Sequence, residues 1–274
     1  MSSNGPPPCC PAGAEPMMIV RDYVPRGEMV MLGNMPVYVA SPPSPSTRGV
    51  VMFTDMFGVH TGRHKQLCDR LAEEGLLVAC PDFFVENPYF VNAPAYGCTV
   101  CCMASLIFKL VTGKLDKNTL THTWDASLRE KVVGTLLPWM KEKGAKEFAS
   151  IGFCWGAYGA MKCAALQEFR CSAVFHPSVD GFCKSAGEDD LQICRELKCP
   201  TLVVATKQEK PAWLPGGPAQ AACEEAVPGK VTFRFEALNH GYMVRAEVDK
   251  DATALAALNR GVQEILDLVN ANLS

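Results

Sequence analysis

Apolar positions along the chain fall into short runs and longer periodic stretches that alternate in a regular order. Met29-Val30-Met31 and Pro36-Val37-Tyr38-Val39 flank Gly33-Asn34, a turn pair, so the first ordered unit is expected to be a β-hairpin. Residues 41–48, with three prolines and four Ser/Thr, read as the loop that follows. Gly49-Val50-Val51-Met52-Phe53 and Leu76-Leu77-Val78-Ala79-Cys80 are unbroken apolar runs, the pattern of strands buried on both faces. Between them, residues 62–74 place Leu67 and Leu71 at helical spacing. Residues 124–143 carry Leu128, Val132, Leu136 and Met140 every fourth position, a long amphipathic helix that Pro138 is expected to kink. Further strands are predicted at 145–153, 171–175, 201–205 and 231–235, and further helices at 157–167, 188–197, 217–226 and 252–270. Residues 85–120 are the least patterned and suit a cap or pocket-lining excursion. A hairpin followed by strands alternating with helices predicts an α/β fold: a mostly parallel sheet, helices on both faces and an antiparallel hairpin at the N-terminal end. One domain is expected over 27–274, after an irregular segment at 1–26.

Composition narrows the partners. The net charge is −3, which gives no basic field for nucleic acid or anionic lipid, so a small-molecule substrate is the expected partner. No run of about 18 apolar residues is present and the first residues lack the features of a secretory signal, so a cytoplasmic protein, monomer or homodimer, is expected. The 14 cysteines are scattered through apolar stretches rather than set out as a disulfide framework, and most read as reduced core residues. Cys9-Cys10 and the cluster Cys98, Cys101 and Cys102 lack a second ligand pair at suitable spacing, so neither metal nor cofactor is expected.

In a parallel sheet, reactive groups collect in the loops beyond the carboxyl ends of the strands, where helices begin with free N–H groups. Cys154 lies in Gly152-Phe153-Cys154-Trp155-Gly156, between a predicted strand and a predicted helix, the setting of a nucleophile elbow. A Gly-x-Cys-x-Gly match arises by chance in about one chain in ten of this composition, so its context matters more than the motif. His240, in Asn239-His240-Gly241-Tyr242 after the last strand, is the candidate base. Glu209 is the only acidic residue between Thr206 and Ala222 and is the candidate orienting acid, with Asp180, after strand 171–175, as the alternative. His176 ends that same strand and is a candidate pocket residue. In so cysteine-rich a chain the plain alternative for Cys154 is one more buried thiol.

Together these segments resemble the dienelactone hydrolase family. Beyond the elbow, the resemblance takes in Thr54-Asp55-Met56-Phe57-Gly58, Pro81-Asp82-Phe83-Phe84, His176-Pro177 and His240-Gly241-Tyr242, and runs from about Gly27 to the C-terminus. It implies an α/β-hydrolase fold and a Cys-His-acid triad opening esters or lactones with water. Cys154 would be the nucleophile, His240 the base, and Asp55 an acid that contacts the resting thiol and gates it. The backbone N–H groups of Met56 and Trp155 would form the oxyanion hole. The family's acid is usually aspartate, where this chain has Glu209. The family also often has an arginine shortly after Pro-Asp-Phe-Phe to bind a substrate carboxylate; here Val85-Glu86 stand there, leaving Arg245 as the candidate cation. Two readings of other classes compete: a non-catalytic scaffold that binds a ligand or partner, and a thiol redox protein using Cys154 and Cys98 or Cys101.

Overall fold

The computed structural model describes residues 11, 13–20, 22–84 and 122–274. Cys9-Cys10, the Cys98, Cys101 and Cys102 cluster, Val85-Glu86 and the excursion expected at 85–120 lie outside the described residues.

Unbroken apolar runs need cover on both sides, and the sheet supplies it. The hairpin forms from β1 (Glu28–Leu32) and β2 (Met35–Ala40), with Gly33 at φ 61° in the turn. Then come β3 (Arg48–Phe53), α1 (His64–Glu73) and β4 (Leu77–Pro81). From Trp124, a π-helical stretch (Trp124–Leu128, Glu130–Leu136) runs into α2 (Leu137–Glu142), followed by β5 (Glu147–Phe153), α3 (Gly156–Ala164) and β6 (Phe169–Phe175). The chain continues through α4 (Val179–Ala186), α5 (Asp190–Arg195), β7 (Thr201–Thr206), α6 (Pro218–Ala226), β8 (Val231–Glu236), α7 (Tyr242–Arg245) and α8 (Ala252–Asn272). The eight strands form one sheet in the order β1-β2-β4-β3-β5-β6-β7-β8, antiparallel at β1-β2 and β2-β4 and parallel elsewhere.

Alternation along β3 shows how the sheet is sealed. Val50 and Met52 face a core completed by α1, α7 and α8, while Val51 and Phe53 face the other, completed by α2, α3, α5 and α6. No helix among the described residues is long and apolar enough to cross a membrane.

The interruption expected at Pro138 takes the form of a change of winding: the π turns end at Leu136 and α2 begins, with Pro138 in its first turn, where a missing N–H is tolerated. One detail departs from the sequence pattern. Residues 179–186, for which no helix is expected from the apolar pattern, form α4, whose Val179 and Cys183 are buried one turn apart. Its Ser, Asp, Gly and Lys content had masked so short an apolar stripe.

Candidate active site

β5 and β3 run side by side, with Gly152 opposite Phe53, so the segment after Phe53 lies against the turn after Phe153. At that turn Cys154 adopts φ 55°, a left-handed conformation that costs a non-glycine residue energy. The chain doubles back so tightly that a Cβ at Gly152 would stand 2.3 Å from the Gly156 carbonyl oxygen, and one at Gly156 2.4 Å from that of Thr54. Both positions therefore require glycine. The Cys154 N–H donates to the Phe175 carbonyl (3.1 Å) and the Ser178 N–H donates to the Cys154 carbonyl (3.0 Å), which ties the elbow to the end of β6. Ser178 Oγ is 3.5 Å from Cys154 Sγ, and the thiol is fully buried. Trp155 caps the N-terminal end of α3, and Met56 follows β3 in the segment packed on the elbow, the two backbones expected to supply oxyanion donors.

The candidate base and acid meet one strand further along. His240 Nδ1 lies 2.6 Å from Glu209 Oε1, with both side chains almost wholly buried. The other Glu209 oxygen accepts the Thr206 N–H at the end of β7. A carboxylate on Nδ1 orients the ring and leaves Nε2 as the nitrogen for proton transfer. Asp180, the alternative acid, is turned elsewhere: it lies in the first turn of α4, 2.5 Å from Lys210 Nζ. Gln208, which the sequence reading passed over, holds the His240 loop. Its Oε1 accepts the His240 N–H (2.7 Å) and its Nε2 donates to Asn239 Oδ1 (2.9 Å).

Asp55 and Arg245 form a second buried pair. Arg245 Nη1 is 3.2 Å from Asp55 Oδ2, both side chains are fully buried, and the guanidinium lies over the Phe57 ring at 4.9 Å. Asp55 Oδ1 also accepts the Phe57 N–H at 3.0 Å. Arg245, expected as a cation for substrate, is thus directed onto a carboxylate of the protein. A desolvated guanidinium is tolerated inside when such a partner offsets its burial. His64 approaches Asp55 at 3.8 Å, but its Nε2 accepts the Asp55 N–H (3.2 Å) while Nδ1 donates to the Thr61 carbonyl (2.8 Å). That tautomer is neutral, so the contact is not an ion pair.

His176 is fully buried behind the base, at φ 41°. Its ring meets His240 edge-on at 4.9 Å and Tyr242 at 5.8 Å. Burial, then the neighbouring His240 and Arg245, holds it well below the usual histidine range, so it is neutral. On the other side of the elbow, Trp155 contacts Phe84 (4.8 Å), Phe83 (6.0 Å), Phe182 (6.0 Å) and His122 (6.3 Å) in an aromatic cluster. Burial, aided by Lys131, lowers the His122 pKa to about 4.

The dienelactone hydrolase family description matches residues 35–269, nearly the whole sheet and both loops of the site. The chain belongs to the dienelactone hydrolase family. Among curated relatives, the hydrolase PyvD of Aspergillus violaceofuscus is 24% identical over 91% of this chain and 90% of its own length. A carboxymethylenebutenolidase homolog of Xenopus tropicalis is 28% identical over 49% of this chain and 48% of its own. A structure described as a dienelactone hydrolase of Klebsiella pneumoniae superposes with a TM-score of 0.59 at 19% identity, covering 89% of this chain and 98% of that one. An esterase of Pyrococcus furiosus does so with a TM-score of 0.54 at 14% identity, covering 93% and 99%. The fold is that of the α/β-hydrolases, and this member of the dienelactone hydrolase family is an ester or lactone hydrolase.

Proposed function

We propose that the hydrolase works through a Cys154 thioester, with His240 as general base and acid and Glu209 as its orienting carboxylate. The observation that carries this reading is the left-handed elbow at Cys154 after β5, together with a buried His240–Glu209 pair in the loops after β8 and β7, at the same carboxyl edge of the parallel strands. Sγ attacks the ester or lactone carbonyl as its proton passes to His240 Nε2, and the oxyanion forms against the N–H groups of Met56 and Trp155. Collapse expels the alkoxide, which takes the proton from His240. Water then gives a proton to His240 as its oxygen adds to the thioester carbonyl; the carboxylic acid leaves and the thiol recovers its proton. The start of α3 and transfer to His240 both favour the thiolate. Asp55 is the gate: its carboxylate disfavours the thiolate and keeps resting Cys154 protonated until substrate displaces it from the thiol, while Arg245 stays its partner.

Because Arg245 is engaged by Asp55, neutral esters or lactones suit the site better than substrates that need a cation for a carboxylate. The described cysteines are all free, which fits a reducing compartment such as the cytoplasm. Mass spectrometry of protein quenched during turnover of p-nitrophenyl acetate is expected to show one acetyl group on Cys154. Cys154→Ala should lose that adduct and reduce turnover by on the order of 10³ to 10⁶. Parental turnover in Cys154→Ala would overturn the reading, whereas a Cys154 disulfide without an acyl adduct would indicate redox chemistry.

A further inference from the structure

The peptide of His240 belongs to no helix or strand: β8 ends at Glu236 and α7 starts at Tyr242. Its two polar groups are nonetheless both engaged. The N–H donates to Gln208 Oε1 at 2.7 Å, and the carbonyl accepts the backbone N–H of Glu15 at 2.8 Å, from a residue 225 positions away in sequence. Two more bonds join the same three segments: Asn239 Nδ2 donates to Glu15 Oε1 (2.9 Å), and Gln208 Nε2 donates to the Gly13 carbonyl (3.1 Å). The amide orientation of Gln208 follows from chemistry, because a backbone N–H requires Oε1 and two oxygen acceptors require Nε2. Gln208 therefore links the acid loop, the base loop and the N-terminal segment.

That segment is held by hydrogen bonds more than by packing. Its next anchor is the Gly62 N–H, which donates to the Met18 carbonyl at 2.7 Å, with an isolated bridge between Ile19 and Gly62. Between the anchors, Glu15, Pro16, Met17 and Met18 line a cleft of about 390 Å³ that Leu238 and Tyr242 also line. Ile19 is 44% exposed. A stretch of chain that borders a cleft and rests on a few hydrogen bonds can loosen without opening the core.

We propose that residues 13–18 form a strap that positions the catalytic histidine, with Glu15 and Gln208 as its positioning residues. This rests on the assignment of His240 and Glu209 as base and acid. With the strap in place, the His240 peptide is fixed from both sides and the imidazole is presented to Cys154 in one orientation. When the strap loosens, the carbonyl side of that peptide is released, and the proton-transfer steps slow while substrate binding does not.

The test uses full-length protein with p-nitrophenyl acetate. Glu15→Pro removes the N–H and the carboxylate together, and is expected to lower kcat about threefold to tenfold with KM within about twofold of the parent. Glu15→Gln keeps both the N–H and an acceptor oxygen and should restore parental kcat. Gln208→Ala, which cuts the link from the acid-loop side, should lower kcat in the same way and decides the matter if Glu15→Pro fails to fold. Parental kcat in folded Glu15→Pro or Gln208→Ala overturns the strap, and so does a change confined to KM. Acetylation of parental Cys154, measured in parallel, separates the two questions. If it is missing, the thioester reading fails; if it is present while the variants keep parental kcat, the strap alone fails.

Discussion

The two sides of Cys154 are built from opposite materials. Toward β7 and β8, Glu209, His240, Gln208 and Asn239 make a polar corner in which hydrogen bonds fix each loop against the next. Toward α4 and the end of β4, Phe83, Phe84, His122, Trp155 and Phe182 make an aromatic corner fixed by ring packing. Buried hydrogen bonds are directional, and leaving one partner unmatched costs more than the bond contributes; ring contacts are shared among several neighbours and tolerate exchange. The polar corner is therefore sensitive to the loss of single atoms, and the aromatic corner to the loss of volume.

The largest effect that this contrast predicts is catalytic. Glu209→Gln keeps the size of the side chain but removes the charge that orients His240, and kcat for p-nitrophenyl acetate is expected to fall about 10² to 10⁴-fold with little change in melting temperature. A fall below tenfold would remove Glu209 from the triad. Next comes the Asp55–Arg245 pair, a second buried polar contact, between the segment after β3 and α7. Arg245→Met leaves a buried carboxylate without its cation and should destabilise the fold by about 3–5 kcal/mol in urea unfolding, and adding Asp55→Asn should recover part of that. Equal losses in the single and double variants would show that the two residues do not act as a pair.

The smallest effect belongs to the aromatic corner. His122 titrates at about 4 when folded, against about 6.5 unfolded, so on acidification the unfolded chain takes up a proton first. Stability due to His122 is present above pH 6.5 and is lost as the pH falls through the window between those values. Going from pH 7 to pH 5 should cost about 1–2 kcal/mol through this residue. His122→Phe should remove that part of the slope while keeping the cluster folded, and an unchanged slope would count against the buried neutral imidazole.

What could be read from the sequence follows the same division. Strands β3 to β7 were legible because burial on both faces leaves a run of apolar letters that needs no knowledge of neighbours, whereas β8, at the sheet edge and only partly buried, carries polar residues between its apolar ones. Cys154 and His240 stood out as candidates because a sharp elbow demands glycines and because His240 lies in the loop after the last strand. Glu209 stood out as the only acid in its loop. Gln208 and Glu15 were not legible, since an amide or a backbone N–H gains its meaning from partners up to about two hundred residues away. Arg245 was recognised as a notable cation, but whether a guanidinium faces a ligand or a carboxylate of its own chain is decided by packing. Pro138 was read by its local effect, and the π-helical turns that precede it have no signature in the residue pattern.

The crowding at Gly152 and Gly156 fixes the main chain of the elbow independently of the atom carried at its tip. Sulfur in place of oxygen at that tip changes the chemistry without asking anything of the scaffold. The same bend would hold a serine hydroxyl as readily as the Cys154 thiol, so under the proposed mechanism a thiol and an alcohol hydrolase on this sheet would differ by one atom rather than by an architecture. For Cys154, that one atom also brings susceptibility to soft electrophiles, giving an inhibitor a chemical handle that a hydroxyl at the same point would withhold.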